Sequence, residues 1–157
     1  MAATPQPSDP GEEFLRLDRH ICFALSAASR AFGSIYRVLL KDLGLTYPQY
    51  LVMLALWEDG ELQVKTLGRL LRLDSGTLSP LLKRLEAGGL VRRERSVADE
   101  RSVTVSLTPA GAALRTRALT VQPRIAEVTG VELTEIVELH KRLNRLTAAL
   151  DEAVTKL

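Results

Sequence analysis

The feature that most constrains this chain is a change of hydrophobic period at Gly88-Gly89. Before it, Leu78, Leu81, Leu82 and Leu85 recur at i, i+3, i+4 and i+7, the spacing of one buried helix face. After it, Val103, Val105 and Leu107 alternate with Ser102, Thr104 and Ser106, the spacing of a half-buried strand. Leu90 to Arg95 is the natural pairing strand, and Ser96 to Arg101 the hairpin tip. The glycine pair stops the helix.

What precedes the helix narrows the fold further. Thr46 reads as an N-cap with Gln49 as its capping-box partner, opening a helix from Tyr47 to about Glu58. Val64 to Arg72 is a short helix, and Leu73-Asp74 a tight connection with Asp74 as the next N-cap. Pro80 either delays the start of the following helix or kinks it. The polar face of that helix carries Ser75, Thr77, Ser79, Lys83 and Arg84. Two helices, a tight turn, a small-polar and basic second helix, then a hairpin: this is a winged helix-turn-helix over residues 46–108. The second helix is suited to a major groove. The hairpin, with Arg92, Arg93, Arg95 and Arg101, is suited to the backbone or a minor groove.

Charge is distributed to match. The formal net charge of the chain is only +2, yet Lys65 to Arg101 holds nine basic residues against five acidic ones. A locally basic segment in a near-neutral chain is what phosphate contact requires, although such runs also serve simply as solvated faces. Lys65 and the basic and small polar residues of the second helix and hairpin are the candidate DNA contacts. Asp99 is either a turn residue or the carboxylate that orients a nearby arginine.

The flanks are helical. A stripe from Phe14 to Leu43 contains Asp18, Cys22, Leu25, Ser29, Phe32 and Tyr36, with Gly33 a place to bend or break and Gly44 a C-cap. Thr108-Pro109 opens another helix, interrupted at Pro123 and Gly130. A last helix, about Thr134 to Val154, aligns Ile136, Leu139, Leu143, Leu146 and Leu150. Residues 14–45 and 109–157 are therefore expected to be dimerisation helices, and residues 1–13 a polar, proline-rich disordered tail without the h-region of a signal peptide. The fold class expected is mainly α with a small β-hairpin wing, one domain over 14–157.

Cys22 is the only cysteine, so an internal disulfide is impossible, and a reducing, cytoplasmic setting is expected. On a helix stripe a free cysteine is most often a small buried hydrophobe; the other reading is a reactive thiol. Tyr36 lies 14 residues on, about 21 Å along a continuous helix. It can approach Cys22 only if the chain doubles back or a second subunit supplies it. His20 and His140 show no metal-ligand spacing, and no cofactor is expected. No phosphate loop, nucleophile elbow or paired catalytic carboxylates are present, so no catalytic residues are expected. No apolar run is long enough to suggest a membrane span.

Asp99-Glu100-Arg101 followed by Leu107-Thr108 resembles the wing of the MarR family of transcription regulators. Within it, Cys22-Phe23-Ala24-Leu25, Thr46-Tyr47-Pro48-Gln49-Tyr50-Leu51 and the run from Leu73 to Glu86 resemble the organic hydroperoxide resistance regulators (OhrR). The resemblance covers Phe14 to the C-terminus. It implies that Cys22 is a peroxide sensor whose thiolate is hydrogen-bonded by Tyr36 and Tyr47 of the other subunit. It implies a homodimeric repressor on a pseudo-palindromic double-stranded operator, organic hydroperoxide as inducer, and a low-molecular-weight thiol that traps the oxidised cysteine. No downstream resolving cysteine exists, which matches the one-cysteine branch, and Ser26 stands where some members carry a tyrosine. Two other readings stay open. One is a MarR-type regulator released by a small aromatic or phenolic ligand with Cys22 inert; the other is an architectural DNA-binding dimer.

Overall fold

The computed structural model describes residues 10–99 and 101–157; residues 1–9, most of the expected tail, and Glu100 lie outside the described residues. The described residues open with one helical turn, α1 (Pro10–Glu13), and a 3-10 turn at Leu17–Arg19, then α2 (Ile21–Leu39) and a second 3-10 turn at Lys41–Leu43. Next come α3 (Tyr47–Asp59), β1 (Glu61–Gln63), α4 (Val64–Leu71) and α5 (Ser75–Ala87). The hairpin strands are β2 (Val91–Arg95) and β3 (Val103–Leu107), followed by α6 (Pro109–Ala118), α7 (Val121–Thr129) and α8 (Leu133–Val154). By its contacts the chain forms two compact units, one up to Ala112 and one from Ala113 to Leu157.

Local chemistry sets most boundaries of the first unit. Thr46 Oγ1 accepts from the Gln49 N–H at 3.4 Å while Gln49 Oε1 accepts from the Thr46 N–H at 2.9 Å, so the capping box forms as expected. Asp74 Oδ1 takes the Thr77 N–H at 2.8 Å and caps α5. α5 starts at Ser75 and runs through Pro80, so the proline does not delay it. Thr108 Oγ1 accepts the Gly111 N–H at 3.0 Å and donates to the Gly89 carbonyl at 2.6 Å, tying the start of α6 to the end of α5. In the second unit Pro123 sits third in α7, where its missing N–H breaks no helical bond, and the interruption falls earlier, at Leu119-Thr120.

The fold differs from the sequence pattern in two places. The wing is not a bare hairpin: β1 joins it, giving the order β1-β3-β2, with Leu62 opposite Val105 and Arg93 opposite Val105 on the other side. The first long helix starts at Ile21, not Phe14. His20 adopts an extended backbone, and its Nε2 donates to the Phe14 carbonyl at 2.9 Å, while Arg16 pairs with Asp18. These side-chain bonds hold residues 14–20 in turns that compete with a continuous helix. α2 then passes unbroken through Gly33.

The core lies between α3, α4, α5 and the sheet. Tyr50, Val52, Met53, Leu56, Leu67, Leu78, Leu82, Leu85, Val91 and Val105 are buried completely or nearly so. At about 1.5–3 kcal/mol for each large apolar side chain, this set is the main stabilising element of the lobe. α8, by contrast, buries no residue.

Candidate nucleic-acid interface and thiol site

An open cleft of about 1120 Å³ lies between α4, α5 and the β2–β3 hairpin. It brings together six of the expected contact residues: Lys65 from α4, Ser75 and Ser79 from α5, and Arg93, Asp99 and Arg101 from the wing. Thr77, Lys83, Arg84, Arg92 and Arg95 are exposed but do not line it. Arg69 and Arg72, which the motif reading did not single out, do.

Arg93 does something other than expected, and Asp99 takes the turn role that was one of its two readings. Period-two alternation gives Arg93 the same parity as buried Val91, so it faces inward. Its Nε and Nη2 donate to Glu86 Oε2 at 3.0 and 2.8 Å, and its backbone N–H donates to Glu86 Oε1 at 3.0 Å. Arg93 therefore fastens β2 to α5 rather than presenting a free cation. These bonds hold the Glu86 carboxyl below its ordinary range. Asp99 shapes the wing tip: its Oδ1 accepts the Arg101 backbone N–H at 3.0 Å, and its carbonyl accepts the Ser102 N–H at 2.9 Å. Ser96 completes the tip by accepting from Ala98 and Asp99. At the start of α5 the Asp74 carboxyl is held below its usual range by the backbone and hydroxyl of Thr77.

The thiol site is divided along one helix. Cys22 is exposed and is the second residue of α2. Tyr36 is near the other end and is buried, its ring stacked on Tyr47 with centroids 4.4 Å apart and packed against Tyr50 at 5.9 Å. Burial, then the neighbouring Tyr36, pushes the Tyr47 hydroxyl above its ordinary value. Because Cys22 and Tyr36 share an unbroken helix, about 21 Å of axial rise separates them. Within one chain the tyrosine pair does not reach the sulfur.

Residues 34–116, more than half of the chain, match the family described as transcriptional regulator SarA/Rot. The organic hydroperoxide resistance transcriptional regulator of Bacillus subtilis is 42% identical over 89% of this chain and 95% of its own length. The chain belongs to the MarR family of transcriptional regulators, in its OhrR branch. It is thus a DNA-binding regulator with a winged helix. The HTH-type transcriptional regulator TtmR of Methylorubrum extorquens is 49% identical over 87% of this chain and 68% of its own. Among solved structures, reduced AbfR bound to DNA superposes with a TM-score of 0.79 at 37% identity, covering 92% of this chain and 99% of that one. AbfR, from Staphylococcus epidermidis, has also been solved in an overoxidized, DNA-bound form and in a disulfide form.

The MarR-family lobe depends on residues that the motif reading passed over. Glu86 is one. Gly111 is another: a Cβ there would collide with the Leu90 carbonyl, and its own carbonyl accepts the Trp57 indole N–H at 2.9 Å. Parity along β2 was the available signal for Glu86 and Arg93; nothing local marked Gly111.

Proposed function

We propose that this regulator is a homodimeric repressor that binds a pseudo-palindromic operator when reduced and releases it when an organic hydroperoxide oxidises Cys22. The observation that carries this reading is the division of the thiol site. Cys22 is exposed at one end of α2, and a stacked tyrosine pair sits about 21 Å away at the other. A two-fold dimer brings opposite ends of two such helices together, so that the partner subunit's Tyr36 and Tyr47 donate hydrogen bonds to the thiolate. The exposed apolar residues of α2 and α8, Phe23, Phe32, Leu139 and Leu150 among them, support a second copy as their cover.

The chemistry balances with one thiol. The Cys22 thiolate attacks one peroxide oxygen, the O–O bond breaks, and the alcohol leaves after taking up a proton. Sulfur is oxidised to the sulfenic acid and the peroxide is reduced. A low-molecular-weight thiol then condenses with the sulfenic acid, losing water and leaving a mixed disulfide. Loss of the phenol hydrogen bonds and the added bulk shift the two lobes and spoil the half-site spacing. On the DNA side, Ser75, Thr77, Ser79, Lys83 and Arg84 approach the major groove, and Lys65, Arg92, Arg95 and Arg101 the backbone and minor groove. Arg93 and Asp99 hold the wing in place.

The test uses a duplex selected by the reduced protein from a random-sequence pool. Wild type and Cys22→Ser are expected to bind it equally, and cumene hydroperoxide is expected to release wild type alone. Release of Cys22→Ser by the peroxide overturns single-thiol sensing. Release of both proteins by a phenolic ligand instead, with no peroxide effect, supports the ligand-gated alternative. Tyr36→Phe and Tyr47→Phe are each expected to slow the peroxide reaction about tenfold, because each removes one of two charge-assisted bonds.

A further inference from the structure

Five described residues have a positive φ. Four are glycines: Gly44, Gly60, Gly89 and Gly130. The fifth is Arg72, at φ 54° and ψ 40°. Glycine takes this conformation without steric cost, and an L-residue does not. Among the described residues, glycine is therefore used wherever φ is positive, except at Arg72.

The turn at Arg72 fixes that backbone firmly. It ends α4 as a Schellman motif: the Leu73 N–H donates to the Gly68 carbonyl at 2.9 Å and the Arg72 N–H to the Arg69 carbonyl at 3.3 Å. Gly68 is itself packed close to the Leu73 carbonyl and Leu78. Relaxing Arg72 would lose the bonds that set α4 against α5. Position 72 thus needs the left-handed conformation, and glycine would suit it better. Strain retained against an easy remedy points to a function of the side chain. That side chain is exposed and lines the cleft between α5 and the wing, with Lys65, Arg69 and Arg101 also on its walls.

We propose that Arg72 is a phosphate anchor for the DNA strand that crosses this cleft. The inference rests on the DNA-binding mode proposed above. If α5 occupies a major groove and the wing the adjacent minor groove, the sugar-phosphate strand that divides those grooves passes between them. The cleft is the space between α5 and the wing. A guanidinium there meets phosphate oxygens with paired N–H donors and reads no base. Arg72 acts alongside the recognition helix as a sequence-independent contact, one per half-site.

The test compares the whole protein with Arg72→Gly, Arg72→Asn and Arg72→Lys on two duplexes, one selected from a random pool and one of random sequence. Glycine and asparagine both accept the left-handed backbone, so the unfolding midpoint is expected to hold or rise. Both variants are expected to bind each duplex about tenfold more weakly, with the salt slope of binding reduced by about two for the dimer. Arg72→Lys keeps the charge and is expected to keep the slope. Unchanged affinity and slope in Arg72→Gly and Arg72→Asn overturn the anchor. A loss on the selected duplex alone also overturns it, since that marks a base contact. Failure of wild type to bind either duplex would instead sink the proposed function itself.

Discussion

The winged lobe and the flanking helices carry the same kind of apolar pattern but treat it differently. In α5 the stripe Leu78, Leu81, Leu82 and Leu85 is buried against α3, α4 and the sheet. In α8 Leu139 and Leu150 of the stripe stay about half exposed, Ile136, Leu143 and Leu146 are only partly covered, and no residue of the helix is buried. Amphipathic periodicity therefore states that a face must be covered but not by what. One region closes on itself; the other is finished only by another surface, which the proposed function assigns to a second copy of the chain.

The sharpest way to break this comparison is to charge the open stripe. Leu139→Glu with Leu150→Glu places two carboxylates from each copy in the proposed interface. An uncompensated buried charge costs several kcal/mol, so the double variant is expected to sediment as a monomer at micromolar concentration and to lose tight DNA binding. Its lobe core is untouched, so the wing and α5 are expected to stay folded by amide exchange. A variant that remains a dimer removes α8 from the interface.

The matching change in the closed region is Leu82→Ala. Leu82 is almost fully buried, and truncation there leaves a cavity worth about 2–5 kcal/mol of folding stability in a denaturant titration. The equivalent Leu139→Ala, half exposed in the chain, is expected to affect association and not the stability of the lobe. Equal effects of the two truncations on unfolding of the lobe would erase the distinction drawn between the regions.

What the sequence made legible follows the same division by range. Thr46, Asp74 and Thr108 were readable as caps because a cap is written within four residues of itself. The helix and hairpin around Gly88-Gly89 were readable because their period is local. β1 was not, since three residues carry little period and its existence depends on β3 some forty positions away. The true start of α2 was hidden by side-chain bonds, His20 to the Phe14 carbonyl and Arg16 to Asp18, which no hydrophobic pattern records. Charge alone makes Arg93 a candidate DNA contact, whereas its parity with Val91 points it inward to Glu86. The left-handed Arg72 leaves no trace in composition at all.

On the DNA face, Arg101→Ala is expected to weaken operator binding by about 1–3 kcal/mol. Arg101 is exposed and lines the cleft, and its own backbone N–H is held by Asp99, which aims the tip. Removing the side chain leaves that turn intact. Measured affinity and salt slope equal to wild type would take the wing tip out of the interface and leave recognition to α5.

The smallest expected effect tests whether the lobe is closed by polar contacts as well as apolar ones. The folded Glu86 carboxyl lies below its ordinary value of 4.5 because Arg93 donates to it from side chain and backbone. A carboxylate with a depressed value stabilises the fold fully above its unfolded value, and that contribution is lost as pH falls through the folded one. Glu86→Gln abolishes the charge. Wild type is therefore expected to be more stable than Glu86→Gln at neutral pH, with the gap narrowing as pH drops below about 4.5. Asp74, also held low, is present in both proteins and cancels in the difference. The gap is small, because both Glu86 and Arg93 remain partly exposed and solvent screens the pair, and added salt shrinks it. The measurement is the urea midpoint of both proteins across pH. A gap constant from pH 7 to pH 3 means that the ion pair contributes nothing to folding. The fastening of β2 to α5 would then rest on apolar burial, Val91 and Leu85 included, and on uncharged hydrogen bonds.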